Sequence, residues 1–158
     1  MKRVTLEIPY YSCALEELSP EDRRLVDAAR AATVSSYSPY SHFSVGAAVL
    51  LADGNIVAGS NQENVAFPSG TCAERCAMFY ANSRYPDVAP VALAVAARGA
   101  DGTFTPKPVT PCGACRQVLL QVQIRYGRAL RILLYGSEQV YVMDNVERIL
   151  PFQFDSLE

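Results

Sequence analysis

Thr71-Cys72-Ala73-Glu74-Arg75-Cys76 and, 40 residues further on, Pro111-Cys112-Gly113-Ala114-Cys115-Arg116 are the two stretches around which the chain is organised. Each opens a segment that reads as a helix. From Cys72 to about Asn82, Ala77, Met78, Tyr80 and Ala81 are available for packing. From Ala114 to Tyr126, Val118, Leu119 and Val122 share one stripe, and Gly127 is a natural left-handed cap. The two starts hold four of the five cysteines, so the fold has to bring two helix N-termini together.

The segments around them supply a sheet for these helices to pack on. Ser19-Pro20-Glu21-Asp22 is a helix start, with a capping hydroxyl, a proline at the first helical position and acids where the macrodipole favours them. Leu25, Ala28, Ala29 and Ala32 keep one small apolar face on that helix. Asp53-Gly54-Asn55 between two apolar runs, 43–52 and 56–60, is a hairpin signal. Val91 to Ala97 lacks polar alternation and reads as a strand buried on both faces; Leu130 to Tyr135 is another, and Val140 to Met143 a shorter one. Val4, Leu6 and Ile8 alternate before Pro9, which gives a short edge strand or an ordered arm. The expected fold is a three-layer α/β/α domain with a mixed sheet of about five strands. Residues 1–158 form one domain, with an arm or edge strand over 1–15 and a tail over 150–158.

Composition excludes several classes. A net charge of −2 gives no global positive field for a phosphate backbone, so no nucleic-acid partner is expected. No window approaches the ~20 apolar residues that span a bilayer. The N-terminal alternation is unlike a signal-peptide core, so no membrane partner is expected and a cytoplasmic location is. An odd number of cysteines, mostly in two clusters, favours metal ligation over a disulfide framework.

Zinc prefers four tetrahedral ligands, and catalytic sites keep one position open by taking three from the protein. Cys72, Cys112 and Cys115 supply three, each where a helix begins and where backbone N–H groups favour a thiolate. Residues two apart in a helix point ~200° apart, so Cys72 must sit at or before the first turn if Glu74 is to reach the same centre. Three thiolates and a dication sum to −1. A guanidinium hydrogen bond of ~1.5–3 kcal/mol outweighs a helix terminus at ~0.3–1 kcal/mol, so Arg75 is expected to bond the ligand sulfurs and tune the site. From spacing alone two other readings stay open: a closed Cys₄ site with Cys76 as fourth ligand, making a zinc-stabilised interaction module, and a redox pair at Cys112 and Cys115. Cys13 reads as a small core or surface thiol.

Cys72-Ala73-Glu74 with Pro111-Cys112-Gly113-Ala114-Cys115 resembles the zinc signature of the cytidine deaminase family. The resemblance extends from Ser38-Pro39-Tyr40-Ser41-His42-Phe43-Ser44-Val45-Gly46 through Gly59-Ser60-Asn61-Gln62-Glu63-Asn64 to Leu150-Pro151-Phe152-Gln153-Phe154. It implies a hydrolase acting on the C–N bond of a cyclic amidine, with one Zn²⁺ per subunit held by Cys72, Cys112 and Cys115. It also implies cytidine and 2′-deoxycytidine as substrates in pyrimidine salvage, Glu74 as the proton carrier, and backbone N–H groups at Ala73 and Glu74 holding the base edge.

Further roles follow from the same resemblance. Phe43 resembles the aromatic that packs on the pyrimidine, Asn61 and Glu63 the pair that binds the ribose 3′-hydroxyl, and Phe154 the tail phenylalanine inserted into a neighbouring subunit's site. Tyr40 resembles a subunit-contact residue, and the chain resembles the short, homotetrameric class with shared active sites. As residues alone, Phe43 also fits a strand-start core position, Asn61 and Glu63 a solvated loop, and Phe154 an anchor for the tail. Cys76 stands where threonine is common in the family and Phe67 where tyrosine is common. A deaminase of another small aminopyrimidine nucleoside, of the blasticidin type, is the alternative within the same chemistry.

Overall fold

In the computed structural model, which describes residues 1–157, the chain forms one mixed sheet between two helical layers. The elements are β1 (Tyr11–Cys13), α1 (Pro20–Ala32), β2 (Ser44–Leu51), β3 (Ile56–Ser60), α2 (Ala73–Arg84), β4 (Pro90–Arg98), α3 (Gly113–Tyr126), β5 (Arg131–Tyr135) and β6 (Val140–Met143). The strand order is β1-β6-β5-β4-β2-β3; β4 and β5 are parallel and every other pair is antiparallel. The sheet therefore has six strands where about five were expected. The sixth is the edge strand β1, which falls within the 1–15 segment expected as an arm or edge strand; its residues Tyr11, Ser12 and Cys13 pair with Val142, Tyr141 and Val140. The alternating Val4, Leu6 and Ile8 lie outside it and are exposed.

The local signals account for the element ends. Ser19 Oγ accepts from the Asp22 N–H at 3.1 Å, and Pro20 opens α1. Gly54 takes φ 87° in the β2–β3 turn, and Gly127 takes φ 57° to end α3. A bidentate pair from Arg131 to Asp22, at 3.1 and 2.8 Å, pins the start of α1 to β5.

Small residues on the sheet let the helices come close. On one face Leu25, Val26 and Ala29 of α1 pack on Ala48, Ala94 and Ala96. On the other, Ala77, Met78 and Ala81 of α2 join Leu119 and Leu120 of α3 over Val49, Leu93, Val95 and Ile132. A Cβ at Gly59 would lie 2.7 Å from the Ala77 backbone nitrogen, so α2 rests directly on β3 there. Replacing Gly59 with alanine is expected to lower stability by about 1–3 kcal/mol, read as a lower denaturant midpoint, because the clash is with helix backbone and no side chain can move aside.

Both α2 and α3 run back across the sheet relative to β4, so their N-termini meet beyond its carboxyl end. Open α/β sheets place ligands at such ends.

Candidate metal centre

Cys72 and Cys112 are the N-caps of α2 and α3, and neither thiol caps its own helix. Their sulfurs are left to meet each other. The Sγ atoms of Cys72 and Cys112 are 3.8 Å apart, and those of Cys72, Cys112 and Cys115 all lie within 4.8 Å of one another. Tetrahedral zinc with bonds of about 2.3 Å sets sulfur–sulfur separations of about 3.8 Å, so the donor set fits zinc in number, chemistry and spacing. Cys76 and Cys13 are outside this group. The geometry brings three sulfurs together, which disfavours a closed four-cysteine site.

The electrostatics of the three thiols differ with depth. Cys115 is fully buried, and burial first, then the Glu74 carboxylate, pushes its thiol far above the ordinary range. Burial also raises Cys72, against the pull of the Arg75 guanidinium. Burial acts upward on Cys112 too, but the backbone N–H and thiol of Cys115 and the thiol of Cys72 outweigh it, and Cys112 sits below the ordinary thiol range. A bound dication reverses this logic, since a coordinating thiol is deprotonated outright.

Glu74 sits in the first turn of α2 and is only 5 % exposed. Burial raises its carboxyl above the usual range, against the opposing pull of its own backbone N–H at the helix start, the Cys115 thiol and the Arg75 guanidinium. Arg75 donates to Cys72 Sγ at 3.8 Å, the contact expected from charge balance, and its buried Nε has no hydrogen-bond partner. An unpaired buried N–H beside a group of thiols is suited to extra negative charge there.

Next to the sulfurs lies a cleft of about 270 Å³ whose wall includes Phe43, Asn61, Glu63, Ala73, Glu74 and Thr110. Ala73 and Glu74 are the first residues of α2, where backbone N–H groups lack an acceptor inside the helix. Arg75 lies outside this cleft and lines a neighbouring one of about 260 Å³ with Asn61, Glu63, Phe67 and Cys72. Phe154 lines neither and is 65 % exposed.

Most polar atoms of Asn61 and Glu63 are engaged within the fold. Asn61 Oδ1 accepts from Ser36 Oγ at 2.6 Å and from the Val45 N–H at 2.8 Å, and Nδ2 donates to the Phe43 carbonyl at 2.9 Å. One amide hydrogen is left over. Glu63 accepts from the Ser41 hydroxyl and from the Tyr40 and Ser41 N–H groups, which hold its carboxyl below the usual range. Ser41 also accepts from the Phe43 N–H at 3.1 Å, so it ties Glu63 to the aromatic of the cleft. Sequence reading missed Ser41; its partner is 22 residues away and no local pattern announces the contact. Neither of the two residues that depart from the family pattern belongs to the sulfur group. Phe67 is exposed and edge-on to Tyr40 at 6.4 Å, and Cys76 is half-buried one turn into α2.

Comparison with known proteins agrees with this centre. Residues 19–127 match the family described as the cytidine and deoxycytidylate deaminase zinc-binding region. The chain is 46 % identical over 99 residues to a cytidine deaminase of Halalkalibacterium halodurans, covering 62 % of this chain and 69 % of that one. A cytidine deaminase of Mycobacterium tuberculosis is 42 % identical over 90 residues, covering 57 % and 62 %. Among solved structures, the cytidine deaminase of Burkholderia pseudomallei superposes with a TM-score of 0.70 at 36 % identity, covering 83 % of this chain and 97 % of that one. The M. tuberculosis structure gives 0.66 at 31 %, covering 86 % and 98 %. The family match spans both cysteine stretches and the cleft between them, and the chain belongs to the cytidine and deoxycytidylate deaminase family of zinc-binding hydrolases.

Proposed function

We propose that the protein hydrolyses cytidine and 2′-deoxycytidine to uridine and 2′-deoxyuridine, releasing ammonia, as a cytoplasmic enzyme of pyrimidine salvage. The observation that carries this reading is a single cleft of about 270 Å³ in which Glu74 and two of the cysteines face Phe43, Asn61 and Glu63. That volume suits a nucleoside.

Zinc, when bound, is a Lewis acid that brings the pKa of water towards neutrality. The rest of the chemistry belongs to the chain. Glu74 takes one proton from the attacking water and delivers it to N3 of cytosine as the oxygen bonds to C4. It then carries the second proton to the exocyclic nitrogen; the C4–N bond breaks, the C4 carbonyl forms and ammonia leaves. The N–H groups of Ala73 and Glu74 and the carbonyl of Thr110 hold the base edge, and Arg75 offsets the excess negative charge of the sulfurs. Phe43 packs on the ring. Removing an aromatic that stacks on a base costs ~1–3 kcal/mol, so Phe43→Ala is expected to raise KM for cytidine by roughly tenfold with kcat little changed, which steady-state kinetics measures.

Asn61 with its remaining hydrogen and Glu63 with its carboxylate meet the ribose 3′-hydroxyl, which also closes the cleft to a continuing polynucleotide. The whole chain acts as one catalytic domain within a homotetramer whose sites are shared. The large side chains left exposed support that assembly: Tyr40, Phe67, Phe79 and Tyr80 are 50, 79, 51 and 59 % exposed, alongside Phe154. Among the described residues no helix is long and apolar enough to cross a membrane.

The test is loss of cytidine with stoichiometric ammonia, repeated after chelation and after zinc is restored. The reading predicts activity that vanishes and returns with the metal. Turnover confined to blasticidin-type nucleosides, or to oligonucleotides, would replace the substrate assignment.

A further inference from the structure

The C-terminal tail is fastened at two points to consecutive residues of α3, directly behind Cys115. Arg116 Nη1 donates to the Ile149 carbonyl at 2.7 Å, and Gln117 Nε2 donates to the Phe154 carbonyl at 2.8 Å. The same guanidinium also reaches the segment before Cys112, where Nε donates to the Pro111 carbonyl at 2.7 Å and Nη2 to the Thr110 hydroxyl at 3.2 Å. All of these acceptors are neutral oxygens, held by a planar fork that a lysine ammonium cannot reproduce. Between the two anchors Phe152 takes φ 57°, a left-handed conformation that is strained for a bulky side chain. Such a turn is held by its surroundings. Phe152 and Phe154 are nevertheless 97 and 65 % exposed as residues, so the tail backbone is fastened while its aromatics remain largely uncovered on their own subunit.

We propose that Arg116 and Gln117 are positioning residues that set the register of the tail against the ligand-bearing helix, so that Phe154 is presented to the cleft of an adjoining copy. Arg116 holds the cleft wall at Thr110 in the same grip. This inference rests on the reading of Phe154 as a residue shared between copies.

A double-mutant cycle tests it, read as KM and kcat for cytidine in the zinc-loaded full chain, with zinc content and oligomer size measured alongside. Gln117→Ala is expected to raise KM about fivefold, the size of one hydrogen bond, with kcat and zinc content unchanged. In a Phe154→Ala background it adds nothing, because the residue it positions is gone. Arg116→Lys raises KM in both backgrounds, and by more where Phe154 is present, since it releases the wall at Thr110 as well as the tail. Penalties of Gln117→Ala that are equal in the two backgrounds, or an Arg116→Lys enzyme with unchanged KM, would overturn the tether while leaving Phe154 its role. A Phe154→Ala enzyme with unchanged KM would instead remove the shared-residue reading, and the tether's function with it.

Discussion

Glu74→Gln is expected to lower kcat for cytidine by about 10²–10⁴-fold while leaving one zinc per chain. The substitution keeps the shape of the side chain and its place in the first turn of α2, but an amide carries no proton between water and the base. It also separates catalysis from architecture. Glu74 is buried beside thiols that its charge pushes upward, and its own carboxyl is held above the usual range by burial. A carboxyl whose folded pKa exceeds its unfolded one destabilises the fold above the unfolded pKa, where the unfolded chain ionises more readily. In metal-free protein at neutral pH, glutamine should therefore leave the melting temperature unchanged or raise it. Wild-type turnover in a zinc-loaded Glu74→Gln enzyme would remove Glu74 from the chemistry; a large fall in melting temperature would assign it to the fold instead.

The second large effect is loss of the centre itself. Cys115→Ser is expected to reduce zinc to well below one per chain and activity to background, because it removes the only fully buried thiol of the three and leaves two ligands. The protein also loses the stabilisation that bound metal confers by mass action, about 4 kcal/mol where free zinc is a thousand times its Kd. Thermal unfolding with and without chelator measures this: chelation should lower the wild-type midpoint and barely move that of the variant. Cys76→Ser is the control, with zinc, activity and midpoint all retained, since Cys76 lies outside the sulfur group. A Cys76→Ser protein that lost its metal would restore the closed four-cysteine reading.

Local chemistry made most of the fold readable. Ser19-Pro20 announces α1, Asp53-Gly54 the hairpin and Gly127 the end of α3, because caps and turns are decided by neighbours in sequence. An arm or edge strand over 1–15 was legible, but the place of β1 within it was not. Its three residues are mostly exposed and are defined by pairing with β6, 127 to 131 positions away, whereas the alternating Val4 to Ile8 lies outside the sheet. The site divides along the same line. Cys72, Glu74, Cys112 and Cys115 sit in short motifs whose spacing follows from helix geometry. The inward-facing bonds of Asn61, the clasp of Ser41 on Glu63 and the grip of Arg116 on Ile149 join residues far apart in the chain, and only the folded backbone brings them together.

The proposed chemistry requires a zinc held by three cysteines with one position left open. X-ray absorption at the zinc edge of the loaded protein counts the ligands directly. Three sulfurs and one lighter atom are predicted; four sulfurs would close the metal to water and make the centre structural.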